Sequence, residues 1–213
     1  MSGKIINKKT YVFTGDRIEK AKQIESVLSD FLQTTVRDYK ILDLGCGDGE
    51  IGRYFSKYND VTLADIEDQR LVKTTKFILL DKEYLRLPFK DDIFDIVISN
   101  HVIEHLSQED LNDAENHLYT IHKVLNDQGI CYFTTPNKNY PIEPHHKIPL
   151  IHYFWEFKDI KLLSTGDMKR IILSSGFGYK DYTTWLISRI TEYNVPKWLS
   201  WLAPTNVFIL VKK

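Results

Sequence analysis

The residues best equipped for chemistry begin at Asp43-Leu44-Gly45-Cys46-Gly47-Asp48-Gly49, where glycines alternate behind the apolar run Ile41 to Leu44. Such a run is how a buried parallel strand hands over to a helix, here the helix-compatible Ile51–Lys57, while backbone amides stay open to a ligand. A second piece follows at Val61-Thr62-Leu63-Ala64-Asp65, an apolar strand ending in a carboxylate. Together they describe a site for an adenosine-type cofactor. Two histidine groups lie downstream, His101-Val102-Ile103-Glu104-His105 and Glu143-Pro144-His145-His146. Histidine is the side chain best suited to accept a proton near neutral pH.

The glycine spacing separates two kinds of cofactor. A dinucleotide fingerprint needs Gly-x-Gly-x-x-Gly, and its third glycine falls on Glu50. A pyrophosphate also wants little negative charge nearby, yet Asp43 lies two residues before Gly45. A cofactor carrying an ammonium and a sulfonium tolerates that carboxylate. At these residues the chain resembles the class I S-adenosylmethionine-dependent methyltransferases (the methyltransferase type 11/12-like domains), whose first motif is similar to Asp43 through Gly49.

Around these pieces, strands and helices alternate. A helical segment spans roughly Asp16 to Leu32. Strands are expected at Lys40–Leu44, Val61–Asp65, Phe77–Leu80, Phe94–Ser99 and Ile130–Thr134, with a helix over Asp110–Leu125. That helix carries Leu111, Leu118, Ile121, Val124 and Leu125 at helical spacing, and Asn126-Asp127-Gln128-Gly129 stops it with turn chemistry before the next strand. Alternation of this kind predicts an α/β fold, a doubly wound parallel sheet with helices on both faces. Near the end, Asp167–Ser175 reads as a helix stopped at Gly176, and Tyr179–Trp185 and Val207–Val211 read as strands. The resemblance implies a seven-stranded, mostly parallel sheet completed by an antiparallel last strand. Between Asp65 and Phe77 only 11 residues are available, so the helix there is expected to shrink to a turn or two around Asp68–Lys73.

Ligands in such sheets bind beyond the carboxyl ends of the strands. Gly45, Cys46, Gly47 and Gly49 then face the methionine moiety, Asp43 orients its ammonium, and Asp65 offers two acceptor oxygens to the ribose hydroxyls. Ile66 provides an apolar face for adenine. The resemblance implies an acid at the adenine amino group shortly before Leu87-Pro88-Phe89, a place for which Asp81 and Glu83 compete. It also implies that the residue past the fourth strand, at Asn100 and His101, faces the methyl group. The sequence there is neither the Asn/Asp-Pro-Pro-Tyr of enzymes that methylate amino groups of DNA bases nor an array of paired glutamates.

Methyl transfer is an in-line displacement, so the work left to the protein is alignment and removal of the acceptor's proton. His101, His145 and His146 are the candidate bases, with Glu143 as an orienter in the second group. A helix starting near Asn100 would put His101, Glu104 and His105 on one face. That trio lacks a fourth ligand, and no metal is assigned. Two aromatic-rich segments, about 137–165 and 186–205, read as lids over the cleft. Burial in the core is their ordinary alternative, and Trp198 and Trp201 beside Lys197 also suit a membrane interface.

The chain has 213 residues, with 28 Lys plus Arg against 29 Asp plus Glu. This predicts a single domain, 1–213, with an N-terminal helical segment over about 1–38. The balance of charge gives no field for nucleic acid or for an anionic membrane. No run approaches the ~20 apolar residues of a membrane span, and the start lacks a signal-peptide core. The two cysteines, Cys46 and Cys131, form no disulfide framework, so a cytoplasmic setting is expected. The expected function is transfer of a methyl group from S-adenosylmethionine to a small-molecule acceptor, at an oxygen of a sugar, lipid or natural-product-like compound. The alternatives are a non-catalytic cofactor-binding scaffold, a metal-assisted O-methyltransferase, and a nucleotide-cofactor oxidoreductase that Glu50 disfavours.

Overall fold

The structure is a computed structural model that describes residues 16–71, 73–81, 87–106, 112–140 and 162–213. Its first element, α1 (Arg17–Leu32), starts where Asp16 accepts the amides of Ile18 and Glu19, a side-chain cap. There follow β1 (Lys40–Leu44), α2 (Glu50–Phe55), β2 (Asp60–Asp65), β3 (Lys76–Leu79) and β4 (Phe94–Asn100). Then come α3 (Asn112–Val124), β5 (Leu125–Pro136), α4 (Thr165–Ser174), β6 (Phe177–Asp181), α5 (Thr183–Thr191) and β7 (Thr205–Lys212). The seven strands form one sheet in the order β3-β2-β1-β4-β5-β7-β6. β7 runs antiparallel between β5 and β6, and the other described pairings are parallel.

Alternate residues of each central strand feed opposite faces, as the pleat dictates. Ile41, Leu63, Ile96, Ile98, Tyr132 and Ile209 pack with α1, α2 and α5 through Ile24, Leu28, Phe55 and Leu186. Leu42, Ala64, Val97, Cys131, Phe133 and Phe208 pack with α3 and α4 through Leu118, Ile121, Met168 and Ile172. Because both faces are covered, the strands read in sequence as continuous apolar runs. Among the described residues no helix is long and apolar enough to cross a membrane.

Four local expectations need correction. The strand expected at Tyr179–Trp185 is β6, Phe177–Asp181, and Trp185 belongs to α5. The Asp181 carboxylate accepts the Thr183 amide at 3.1 Å and so turns the chain into a helix. The turn residues Asn126–Gly129 do not separate helix from strand, because β5 begins at Leu125 directly after α3. They form an excursion inside the pairing, where Phe94 opposes Leu125 but Ile96 already opposes Ile130. The described residues between β2 and β3 contain no helix at all. Arg70 organises that crossover instead, with a two-pronged grip on Asp68, a bond to the Thr75 carbonyl, and its guanidinium 4.2 Å from the Phe77 ring centre. Finally, no α-helix starts near Asn100. The described chain forms a single 3₁₀ turn at Ile103–His105.

One glycine outside the expected site holds the core together. Gly52, on α2, lies so close to β1 and β2 that a Cβ would stand 2.1 Å from Leu63 Cδ2 and 2.9 Å from Asp43 Oδ2. It supplies the close helix–strand packing for which the fingerprint's missing third glycine is used. Gly52→Val is expected to cost about 2 kcal/mol by overpacking and to lower the thermal midpoint by about 4–8 °C. An unchanged midpoint in a calorimetric scan would contradict this contact.

Candidate active site

The carboxyl ends of β2, β1, β4 and β5 lie side by side on one rim of the sheet. Leu44 stands opposite both Ala64 and Ser99, and Asn100 stands opposite Thr134. The expected site residues follow from this register. Gly45, Cys46, Gly47 and Gly49 form the loop leaving β1, Asp65 and Ile66 close β2, and Asn100 and His101 close β4.

The loop is held by the main chain of its neighbour. The amides of Gly45 and Cys46 donate to the Ala64 carbonyl at 2.8 and 3.3 Å, and the Gly49 amide donates to the Cys46 carbonyl. Gly45 has φ 72°, and a Cβ on it would come within 2.4 Å of Val102 Cγ2, so the segment after β4 rests directly on this loop. Gly47 has φ 52°, and a Cβ there would meet nothing within 4 Å. The first contact is a packing demand. The second leaves the space at Gly47 open. Cys46 is buried, which pushes its thiol well above the usual range and leaves it unreactive.

Asp65 ties the glycine loop to the end of β2. Its Oδ2 accepts the Gly47 amide at 2.8 Å, and its Oδ1 accepts the Ile66 amide at 2.7 Å. Oδ1 also accepts the Glu67 amide at 3.4 Å, so Oδ2 is the oxygen that keeps a second acceptor position. Ile66 is 41% exposed, and Leu71 and Leu79 beyond it are exposed too, so the edge past β2 presents apolar surface. Asp81 is exposed just beyond the end of β3, and Glu83 lies outside the described residues.

Asp43 sits beneath the loop, buried, and its Oδ2 has no hydrogen-bond partner. Burial raises its carboxyl pKa first, the Asp65 and Asp48 charges raise it further, and the Gly52 amide pulls it back, so it is pushed up to about 7. A buried carboxyl with one unpartnered oxygen, below an open glycine loop, suits a cationic group placed over the loop. Asp48 on the same loop is clamped from outside by Arg17 at 3.2 Å, which fixes the first turn of α1 against it.

At the end of β4, His101 takes the left-handed conformation, φ 57°. Its ring Nδ1 lies 2.9 Å from Glu104 Oε1, and Glu104 is 1% exposed. The helical face expected to carry His101, Glu104 and His105 is therefore absent, because the chain makes a 3₁₀ turn here, and Glu104 Oε1 lies against the His101 ring. Among the described residues no group of three or more His, Cys, Asp or Glu is placed to hold a metal. The candidates His145 and His146, with Glu143, lie outside the described residues.

Three residues of this rim escaped the sequence reading. Thr134, at the end of β5, accepts the His101 amide through both its carbonyl and its hydroxyl, and that hydroxyl donates to Asn100 Oδ1 at 3.0 Å. His117, on the apolar stripe of α3, is buried with its Nε2 2.9 Å from Ser99 Oγ. Burial lowers its pKa to about 4, so it stays neutral and braces β4 from the opposite face. Asn137, fully buried after β5, donates to the carbonyls of Trp201 and Ala203. It thereby holds the 3₁₀ segment Lys197–Leu202 beside the rim. Tyr193, Trp198 and Trp201 are exposed, which rules out core burial for these three aromatics. The first aromatic segment falls largely outside the described residues.

A family model for a methyltransferase domain matches residues 42–133, from β1 to the middle of β5. The human mitochondrial arginine-hydroxylase NDUFAF5 is 32% identical over 118 residues, covering 51% of this chain and 32% of that protein. The malonyl-[acyl-carrier protein] O-methyltransferase of Pseudescherichia vulneris is 28% identical over 133 residues, covering 59% of this chain and 47% of that one. The match thus spans about a third of the NDUFAF5 proteins of human and zebrafish (Danio rerio) and about half of the O-methyltransferase. Among solved structures, an S-adenosylmethionine-dependent methyltransferase from Archaeoglobus fulgidus superposes with a TM-score of 0.64 at 18% identity, over 94% of this chain and 96% of that one. That likeness is one of fold. Residues 42–133 thus match the methyltransferase-domain model, and the sheet that carries them has the class I methyltransferase fold.

Proposed function

We propose that this chain is an S-adenosylmethionine-dependent methyltransferase acting on an oxygen atom of a small-molecule acceptor. The observation that carries the reading is the open space at Gly47, whose amide the Asp65 carboxylate holds at 2.8 Å. When bound, S-adenosylmethionine supplies an electrophilic methyl group on a sulfonium. Around it, Gly45 through Gly49 receive the methionine moiety, and Asp43 lies below to balance its ammonium. Asp65 offers the ribose hydroxyls the acceptor position that Oδ2 keeps, Ile66 covers adenine, and Asp81 flanks the adenine amino group. His101, at the end of β4, takes the acceptor's proton. An acceptor of the sugar, lipid or natural-product type suits the exposed Tyr193, Trp198 and Trp201 near the rim. The relative named for O-methylation of a carrier-bound malonyl group supports an oxygen acceptor.

Asp43 gives this reading a pH signature. Its folded pKa lies above the ordinary carboxyl value of 3.8, at about 7. Between those values the native state holds a proton that the unfolded chain has released. Its contribution to stability is therefore present at low pH and is lost as the pH rises toward 7. A cationic ligand over Asp43 favours the ionised form. Affinity for S-adenosylhomocysteine is expected to rise with pH up to about 7 and then level off. Below 7 a proton is released on binding, measurable by calorimetry in two buffers of different ionisation enthalpy. Asp43→Asn should abolish that release, and an unchanged release would contradict the placement.

The function itself is tested with methyl-labelled S-adenosylmethionine and a panel of hydroxylated and carboxylated small molecules. The reading expects label in an acceptor and an equal amount of S-adenosylhomocysteine. Oxygen incorporation into an acceptor without S-adenosylhomocysteine would instead align the chain with its hydroxylase relative. Binding with no turnover on any acceptor would favour a scaffold.

A further inference from the structure

His101 stands at the end of β4 in a backbone conformation that side-chain-bearing residues avoid, φ 57°, and such strain persists only where the surroundings impose it. Three contacts impose it here. The His101 amide is taken by the carbonyl and hydroxyl of Thr134, each at 3.2 Å. The same hydroxyl donates to Asn100 Oδ1, so a single threonine sets both residues at the strand end. Val102, the next residue, lies against Gly45, which fixes the segment on the glycine loop. The ring is then oriented from below, with Nδ1 2.9 Å from Oε1 of a Glu104 side chain that has no exposed surface.

A wholly buried carboxylate is costly unless it is used. Glu104 keeps one oxygen, Oε2, buried without a hydrogen-bond partner. Nearby charge comes from Lys20 on α1, close enough for the Glu104 carboxylate to raise its pKa against the desolvation that lowers it. An ionised carboxylate only accepts hydrogen bonds, so beside it the proton of a neutral His101 belongs on Nδ1 and the lone pair on Nε2. Packing alone does not call for this arrangement, since an apolar side chain would fill the same space without the cost.

We propose that Glu104 is a positioning residue for catalysis: it fixes the Nδ1–H tautomer of His101 and so makes Nε2 the base that receives the acceptor's proton. The inference rests on the reading of His101 as that base. The balance is simple. The acceptor O–H bond would break as its oxygen forms the bond to the methyl carbon, the methyl–sulfur bond of the sulfonium would break with its electron pair going to sulfur so that S-adenosylhomocysteine leaves, and the proton would pass to Nε2 of a neutral imidazole. The imidazolium so formed is stabilised through Nδ1–H by Glu104. Thr134 serves the same end from the main chain, holding the backbone that carries the ring.

The test is Glu104→Gln, which keeps the shape and a hydrogen-bonding group but can offer an amide N–H to Nδ1 and so hold the wrong tautomer. In the protein labelled with 15N-histidine and saturated with S-adenosylhomocysteine, the His101 ring is expected to show a protonated Nδ1 and an unprotonated Nε2. In E104Q this assignment is expected to reverse or become mixed. With an acceptor found by the labelling screen, E104Q should lower kcat by about a hundredfold while affinity for S-adenosylhomocysteine stays within about threefold. Retained affinity shows that the variant is folded. E104Q should cost nothing further in a His101→Ala background. An Nε2–H tautomer in the native protein, or an equal loss of rate in the His101→Ala background, overturns the role given to Glu104. The base reading is judged separately, because it fails only if His101→Ala itself turns over at the native rate.

Discussion

Asp65→Ala is expected to weaken binding of S-adenosylmethionine and S-adenosylhomocysteine about a hundredfold. Two losses add. The ribose loses a charged acceptor for its hydroxyls, and a hydrogen bond to a charged group contributes about 1.5–3 kcal/mol. The loop loses its tie as well, because Asp65 Oδ2 holds the Gly47 amide at 2.8 Å and no other described side chain accepts that amide. The alanine variant therefore leaves an amide pointing into the cofactor space with its acceptor gone. Asp65→Asn keeps an acceptor oxygen and should recover part of the affinity. The check is titration calorimetry on the two variants beside the native protein. Equal affinity in all three would show that the cofactor is not held at the end of β2.

His101→Ala should have the larger effect on rate and almost none on cofactor affinity. Positioned acid–base catalysis contributes about 10²- to 10⁴-fold, so kcat is expected to fall about a thousandfold while the dissociation constant of S-adenosylhomocysteine stays within about threefold. The separation of the two effects follows from geometry. In the proposed site the cofactor is gripped at β1 and β2, whereas His101 closes β4 and is held by Thr134 on β5. A variant that loses both together would place His101 in the cofactor grip instead. A variant that loses neither would move the base to His145 or His146, or to no side chain.

How far the sequence carried this account depends on the range of the interaction that decides each feature. The central strands were legible because both of their faces are buried, so Ile41–Leu44 and Ile96–Ser99 appear as unbroken apolar runs. The glycine loop and Asp65 were legible because tight turns and strand ends constrain residue type locally. The start of β5 was misread because Asn126–Gly129 carry turn chemistry, and only the partner strand β4 shows that the excursion lies inside the pairing. Trp185 was placed in the strand that begins at Tyr179, while the turn into α5 is marked by a single hydrogen bond from the Thr183 amide to Asp181. The helix expected between β2 and β3 gave way to Arg70, whose bond to Thr75 and stacking on Phe77 no local pattern announces.

The candidate site divides in the same way. Gly45, Gly47 and Asp65 could be named from spacing. Thr134, 34 residues from Asn100 in sequence, could not, because its role exists only in the register of β4 and β5. His117 hides on a helical stripe with Leu118, Ile121 and Val124, where a histidine looks like ordinary core. Glu104 was visible in the sequence, but its burial and its hold on His101 were not. A regular helix was expected there, and the pair forms instead between His101, at φ 57° past the end of β4, and Glu104 in a 3₁₀ turn.

The central claim is that the rim formed by Asp43, Gly45, Gly47 and Asp65 holds S-adenosylmethionine. Its most direct test is titration calorimetry of the purified chain with S-adenosylmethionine and S-adenosylhomocysteine, with NAD and NADP as controls. The account predicts one site with micromolar affinity for the two sulfur ligands, about −8 kcal/mol, and no heat from the nicotinamide dinucleotides. Binding of NAD or NADP alone, or of none of the four, would contradict it.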